Sequence, residues 1–301
     1  MNLSDATDFV WTHHADGVLA AAGVALAAPW LGIQLGARRS SALGLAVPKL
    51  ASCGVALAYF FASTPAAGAE LVEPDQMTRI LFASIVAGLG MTIAAFTRRG
   101  QMQVGSIALP LFLLAIAARD LLFLESAFGD LGAAIEGPGR LLLIDPDDRS
   151  LAVATGLLGL AILATLWRPV SDAAFDPTDL RTRGGRPALR DLLLYLFVAA
   201  FVGVVTPLVG DDLVLGLLVL PPIILRPFAW SAASFPWLAT SGSVTGVGLG
   251  FVVAVERDWP VGVSILVALP VTCLAVGLLA SPLRVRQLLI ARSTSARAGH
   301  R

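Results

Sequence analysis

The apolar residues of this chain fall into long blocks with the polar residues gathered between them. Blocks of about 18 to 25 residues with few charges lie near 17–37, 41–63, 79–97, 102–124, 150–168, 189–210, 212–229, 235–255 and 261–281. Such a run, wound as a helix, reaches across a hydrocarbon layer roughly 30 Å thick. The blocks lack the alternation of a strand, and in hydrocarbon every backbone N–H and C=O must be paired within the protein. The pattern therefore predicts an all-α, polytopic integral membrane protein with about nine transmembrane helices. Only Gly210, Asp211 and Asp212 divide the sixth block from the seventh.

The polar links give the orientation, because Lys and Arg are retained on the cytoplasmic side. Arg38 and Arg39 follow the first span, and Arg98 and Arg99 the third. Arg168, Arg181, Arg183, Arg186 and Arg190 follow the fifth, Arg226 lies near the end of the seventh, and Arg284, Arg286, Arg292, Arg297 and Arg301 follow the ninth. These alternate links hold fifteen of the twenty arginines, while the opposite links collect most of the acids. The N-terminus is expected outside and the C-terminus in the cytoplasm. The expected organisation is an extracytoplasmic segment over 1–16, one membrane domain over 17–282 and a basic cytoplasmic tail over 283–301.

Composition changes this picture little. The chain is 56% hydrophobic and 14% charged, with a mean hydropathy of +0.81, far above a soluble domain. A net charge of zero leaves no basic surface for nucleic acid. Cys53 and Cys273 sit in apolar stretches without CxxC spacing and read as packing residues. No basic residue precedes the first apolar run, which is too long for a signal-peptide core, so no cleaved signal is expected. Gly242, Gly246, Gly248 and Gly250 predict a close helix–helix seam.

One link carries more than connection. The segment about 172–187 predicts a short cytoplasmic helix, with Asp176 as N-cap, Pro177 at the first position, Asp179 in the first turn, and Gly184 and Gly185 as its stop. Such an element suits a groove on a soluble partner, or serves as an interfacial connector.

The same segment resembles the permease subunit of ABC importers for zinc, manganese and iron. Phe175, Asp176, Pro177 and Gly184 match that family's F-D-P-E-x-A-x-x-x-G segment. Leu217, Leu218, Val219, Pro221 and Arg226 match L-L-V-x-P-A-A-x-A-R, and Gly248, Asp258, Pro260 and Gly262 match G-L-x-x-S-x-x-x-D-x-P-x-G. Leu31, Gly32, Arg38, Arg39, Leu43, Gly44, Gly54, Val55 and Ala56 are similar to the family's first two spans. The likeness runs over roughly residues 17 to 283. It implies coupling to an ATPase through Asp176, Pro177, Asp179, Leu180, Arg181 and Gly184, and a pathway that includes Leu45, Lys49, Pro221 and Asp258. It also implies a homodimer of permeases, an extracytoplasmic substrate-binding protein and a bacterial inner (cytoplasmic) membrane. Where the family places Asp and His in its second span, this chain has Leu45 and Lys49.

Lys49 is the only lysine, and it falls inside a span where a charge costs about 2.5–3.5 kcal/mol. Two readings stand open: the ammonium snorkels to the cytoplasmic interface, or it faces a wet pathway, an anion or a carboxylate across the dimer. Arg119 with Asp120 reads as a pair near the outer end of span four. Asp145, Asp147, Asp148, Asp211, Asp212, Glu256 and Asp258 read as outer-face acids, solvated or ringing a pathway mouth. His13 and His14 lie in an acidic leader, and no His/Cys/Asp/Glu cluster with metal-ligand spacing lies within the spans. The sole lysine is followed by Leu50, so the chain carries no Gly-rich phosphate loop. ATP and Mg belong to a partner subunit, and the chain itself is not expected to be an enzyme. The competing expectations are a permease-like scaffold without metal transport, an ABC permease for a non-metal solute, and an ATP-independent carrier.

Overall fold

The computed structural model describes residues 9–38, 40–62, 74–99, 104–125, 141, 144–175 and 177–298. Among these residues every regular element is helical: α1 (Ala15–Ala37), α2 (Ser41–Ala62), α3 (Gln76–Arg99), α4 (Val104–Glu125), α5 (Pro146–Phe175), α6 (Pro177–Thr182), α7 (Pro187–Val209), α8 (Asp211–Leu225), α9 (Ser234–Arg257) and α10 (Val261–Ala298). Seven of them, α1, α2, α3, α5, α7, α9 and α10, are long and apolar enough to cross a membrane. The chain is a polytopic helical membrane protein.

α1 is the axis of the bundle, packed against α5, α8 and α9, with α2 and α7 also touching it. Small residues let its neighbours come close, as packing in lipid requires. A Cβ on Gly156 of α5 would lie 1.9 Å from the Gly23 carbonyl oxygen, so the α1–α5 crossing is a contact of bare backbones. α9 presents Gly242, Gly246 and Gly250, one turn apart, to Cys273, Leu269 and Ile265 of α10. The expected seam is therefore present, with Gly248 pointing into open space. At the rim the pattern inverts. Met77, Leu81, Ile85, Leu89, Ile93 and Phe96 run down one exposed face of α3, the arrangement a lipid solvent favours.

Two elements depart from the block boundaries. α5 passes through Pro169 and continues to Phe175, so the first part of the expected link is helix. α10 likewise runs on to Ala298, beyond the apolar block that ends near 281. Proline bends or opens a membrane helix without ending it, because neighbouring groups satisfy what it frees.

The contacts sort the residues into two ends. At one end Arg149 pairs with Asp16, Gln76 donates to Asp148, and His14 and Asp258 line a common cavity. At the other, buried Arg38 donates to Asp191 (2.7 Å), to the Val170 carbonyl (2.8 Å) and to Gln34 Oε1 (2.8 Å). Both α6 and Arg226 belong to this second end, opposite Asp258.

Candidate functional site

The break between α7 and α8 is made by Gly210, whose φ of +89° belongs to the region that glycine enters freely. α8 therefore begins with Asp211 and Asp212, where the positive end of the helix dipole favours carboxylates. These two acids are not loop residues on the outer face, as their position between two blocks suggested. Asp211 is 3% exposed within the bundle.

Lys49 meets them there. It lies in α2, 162 and 163 residues away in sequence, and its Nζ donates to Asp211 Oδ2 at 2.9 Å and to Asp212 Oδ1 at 2.6 Å. Arg119 Nη1 of α4 stands 3.5 Å from the same Asp211 oxygen, a partner in addition to any that its neighbour Asp120 offers. The Asp212 N–H donates to Asp211 Oδ1, which orients that carboxylate. Lys49 thus takes the carboxylate reading over the snorkelling one, with carboxylates of its own chain. Among the described residues the two cations and two anions balance, and a buried charge without such partners would be strongly unfavourable.

The group is only partly closed. The Asp212 side chain is 44% exposed. On α8 it heads a stripe at helical spacing, Asp212, Leu215, Val219 and Ile223. On α2 the facing stripe is Ser41, Leu45 and Lys49, and Leu45 is 37% exposed. The stripes meet where the Gly44 backbone comes against Val219. They lead into a cavity of about 700 Å³ at the Arg38 end, lined by Ser41, Gly44, Val219, Ile223, Arg226 and Trp230 among others. Of the pathway residues the resemblance implied, Leu45 and Lys49 lie on this seam. Pro221 is buried, and the neighbouring Pro222, having no N–H, cannot bond the Leu218 carbonyl, which lies against Gly32 of α1. Asp258 is at the opposite end of the molecule.

The coupling candidates form a compact unit. α6 is a six-residue helix; Arg183 and Asp179 pair at 2.9 Å on its surface. The Gly185 N–H donates to the Leu180 carbonyl, and Gly184, at φ +78°, ends the helix as its sequence predicted. Arg181 is exposed and Leu180 half-buried. Asp176 lies outside the described residues.

At the Asp258 end a smaller cavity, about 350 Å³, is lined by Phe9, His14, Ala254, Val255, Asp258, Trp259 and Val261. His13 stacks on Phe9 with ring centres 4.5 Å apart. Burial, and then the charge of His13, holds His14 below the ordinary imidazole range. Among the described residues no three His, Cys, Asp or Glu side chains come together as a metal-ligand group.

A bundle of apolar helices, with a short surface helix at one end and a charged group at the head of a partly exposed seam, defines a polytopic membrane protein. The chain belongs to the ABC 3 transport family, whose model matches residues 13–280. Its fold is similar to that of PsaBC from Streptococcus pneumoniae, solved in complex with Fab. The TM-score is 0.69 at 18% identity, covering 91% of this chain and 95% of that one. It is similar also to a chain described as a metal-chelate type ABC transporter in an inward-facing conformation, with a TM-score of 0.66 at 15% identity, covering 93% and 88%. No curated protein sequence matches the chain. The molecule is a multi-pass membrane permease subunit of an ABC transporter.

Proposed function

We propose that this subunit imports a divalent metal ion, zinc, manganese or iron, across a bacterial cytoplasmic membrane, with ATP and Mg bound and ATP hydrolysed by a separate subunit. Two permease copies form the pathway, and an extracytoplasmic binding protein delivers the cargo. In this reading α4 and α8 join the seven long helices to make nine spans, with the Asp258 end outside and the Arg38 end in the cytoplasm. Residues 1–16 then lie outside, 17–282 form the permease domain, and the arginines of 283–301 face the cytoplasm. The observation that carries the proposal is α6. A short, well-terminated helix projects from the end where the arginines gather, in a chain whose family couples transport to ATP.

Asp176, Pro177, Asp179, Leu180, Arg181 and Gly184 are assigned to ATPase docking. Asp176→Lys combined with Leu180→Pro is expected to abolish copurification of the co-expressed ATPase while the permease still inserts; undiminished copurification refutes the assignment. A second reading, a permease for a solute other than a bare metal ion, or a scaffold without transport, is favoured by one observation. The ammonium of Lys49 already occupies Asp211 and Asp212. Stimulation of ATPase activity by the metal in proteoliposomes separates the readings, since a scaffold gives none.

A further inference from the structure

We propose that Lys49 determines the selectivity of this permease: its ammonium holds the place on Asp211 and Asp212 that a cationic cargo would need, so this level of the pathway admits a cation only when Lys49 is displaced. The inference rests on the transport reading above and concerns the residue that sets which cargo can pass.

Three observations carry it. First, the contact is direct and doubly made, at 2.9 and 2.6 Å, by the chain's only lysine. Second, Lys49 is the member of the group that links the two stripes of the seam, one on α2 and one on α8. Asp212, at the head of the α8 stripe, keeps nearly half of its side chain exposed. A carboxylate facing hydrocarbon there would be strongly disfavoured, so the seam is a wet or protein-covered face. Third, with Arg119 beside Asp211 the charges of the group balance among the described residues. A divalent ion added to it would bring two uncompensated positive charges into a region of low dielectric, whereas an ion replacing the ammonium would bring one. The lower part of the seam is set by Leu45, Val219 and Ile223, which offer a bare ion nothing. The charge at Lys49 is therefore where discrimination occurs.

The test uses the full chain in lipid nanodiscs without ATPase, with Mn²⁺ as the probe and the resonance of the free ion as the readout. Lys49→Gln is expected to raise Mn²⁺ affinity roughly tenfold or more over the wild-type chain. The gain should vanish when Asp211→Asn and Asp212→Asn are added. Lys49→Arg, which keeps the cation, should bind as the wild type does. Equal affinity of wild type and Lys49→Gln overturns the proposal, as does a gain that persists without the two carboxylates. Arg119→Gln supplies a second arm if Lys49→Gln does not fold. It removes the same amount of charge while leaving the ammonium seated on both carboxylates, so binding should gain clearly less than the roughly tenfold expected of Lys49→Gln, and a gain of about tenfold or more would overturn the proposal. Because no ATPase is present, loss of ATPase docking in the coupling experiment leaves this outcome untouched.

Discussion

Arg38 shows what a single side chain does at the Arg38 end of the bundle. Its guanidinium is fully buried and donates to α1, to the end of α5 and to Asp191 of α7, so one planar fork fastens three helices. Arg38→Leu removes the Arg38–Asp191 pair together with the bonds to Val170 and Gln34 and is expected to cost about 3–5 kcal/mol, against about 1–2 kcal/mol for Arg38→Lys, whose single ammonium cannot reach all acceptors. Thermal unfolding in detergent reads both. A loss no larger than that from Arg181→Ala on the exposed helix would contradict this role. Arg38 was visible in the sequence as an orienting charge, yet its partners on α5 and α7 were not, because they lie more than 130 residues away. The same holds for Lys49. Its cost was readable from its place in a span, whereas its carboxylates were misplaced to a loop, since nothing in the spacing shows that Gly210 turns the chain back within the bundle.

At the scale of elements, lipid offers no hydrophobic drive between helices, so close approach must come from small residues. Gly156→Ala would force a methyl group against the Gly23 carbonyl. It is expected to destabilise by about 1–3 kcal/mol or more. Gly248→Ala, facing open space, should stay within about 0.5 kcal/mol. Melting of the two variants side by side decides whether the α1–α5 crossing is as tight as described; equal behaviour would exclude it. The glycine seam of α9 was legible because its four-residue spacing shows in the sequence. The Gly23–Gly156 crossing was not, since neither glycine has another glycine four residues away in its own helix. The extension of α5 was missed for another reason: the apolar block ends at 168, while the helix continues through Pro169 into polar sequence.

For the whole molecule, apolar block length alone made the all-helical, many-pass architecture readable, because hydrocarbon permits so few backbone solutions. The sidedness rests on arginine asymmetry and is open to a direct check. Cysteines placed at Asp179 and Asp258, in a chain without Cys53 and Cys273, should react with an impermeant maleimide from opposite sides of sealed vesicles. Labelling of both from one side would remove the proposed ATPase contact. The long-range pairings that build the seam stayed hidden from the sequence because each joins helices distant along the chain.

The thirty residues of α5, about 45 Å at 1.5 Å each, run without interruption from the pair Arg149–Asp16 to the threshold of α6. A stiff rod of that length swings its far tip by about 8 Å for a tilt of roughly ten degrees. In the proposed orientation a push delivered at the α6 end would therefore reach the opposite end of the molecule, and Pro169 is the joint at which it would be softened into a bend.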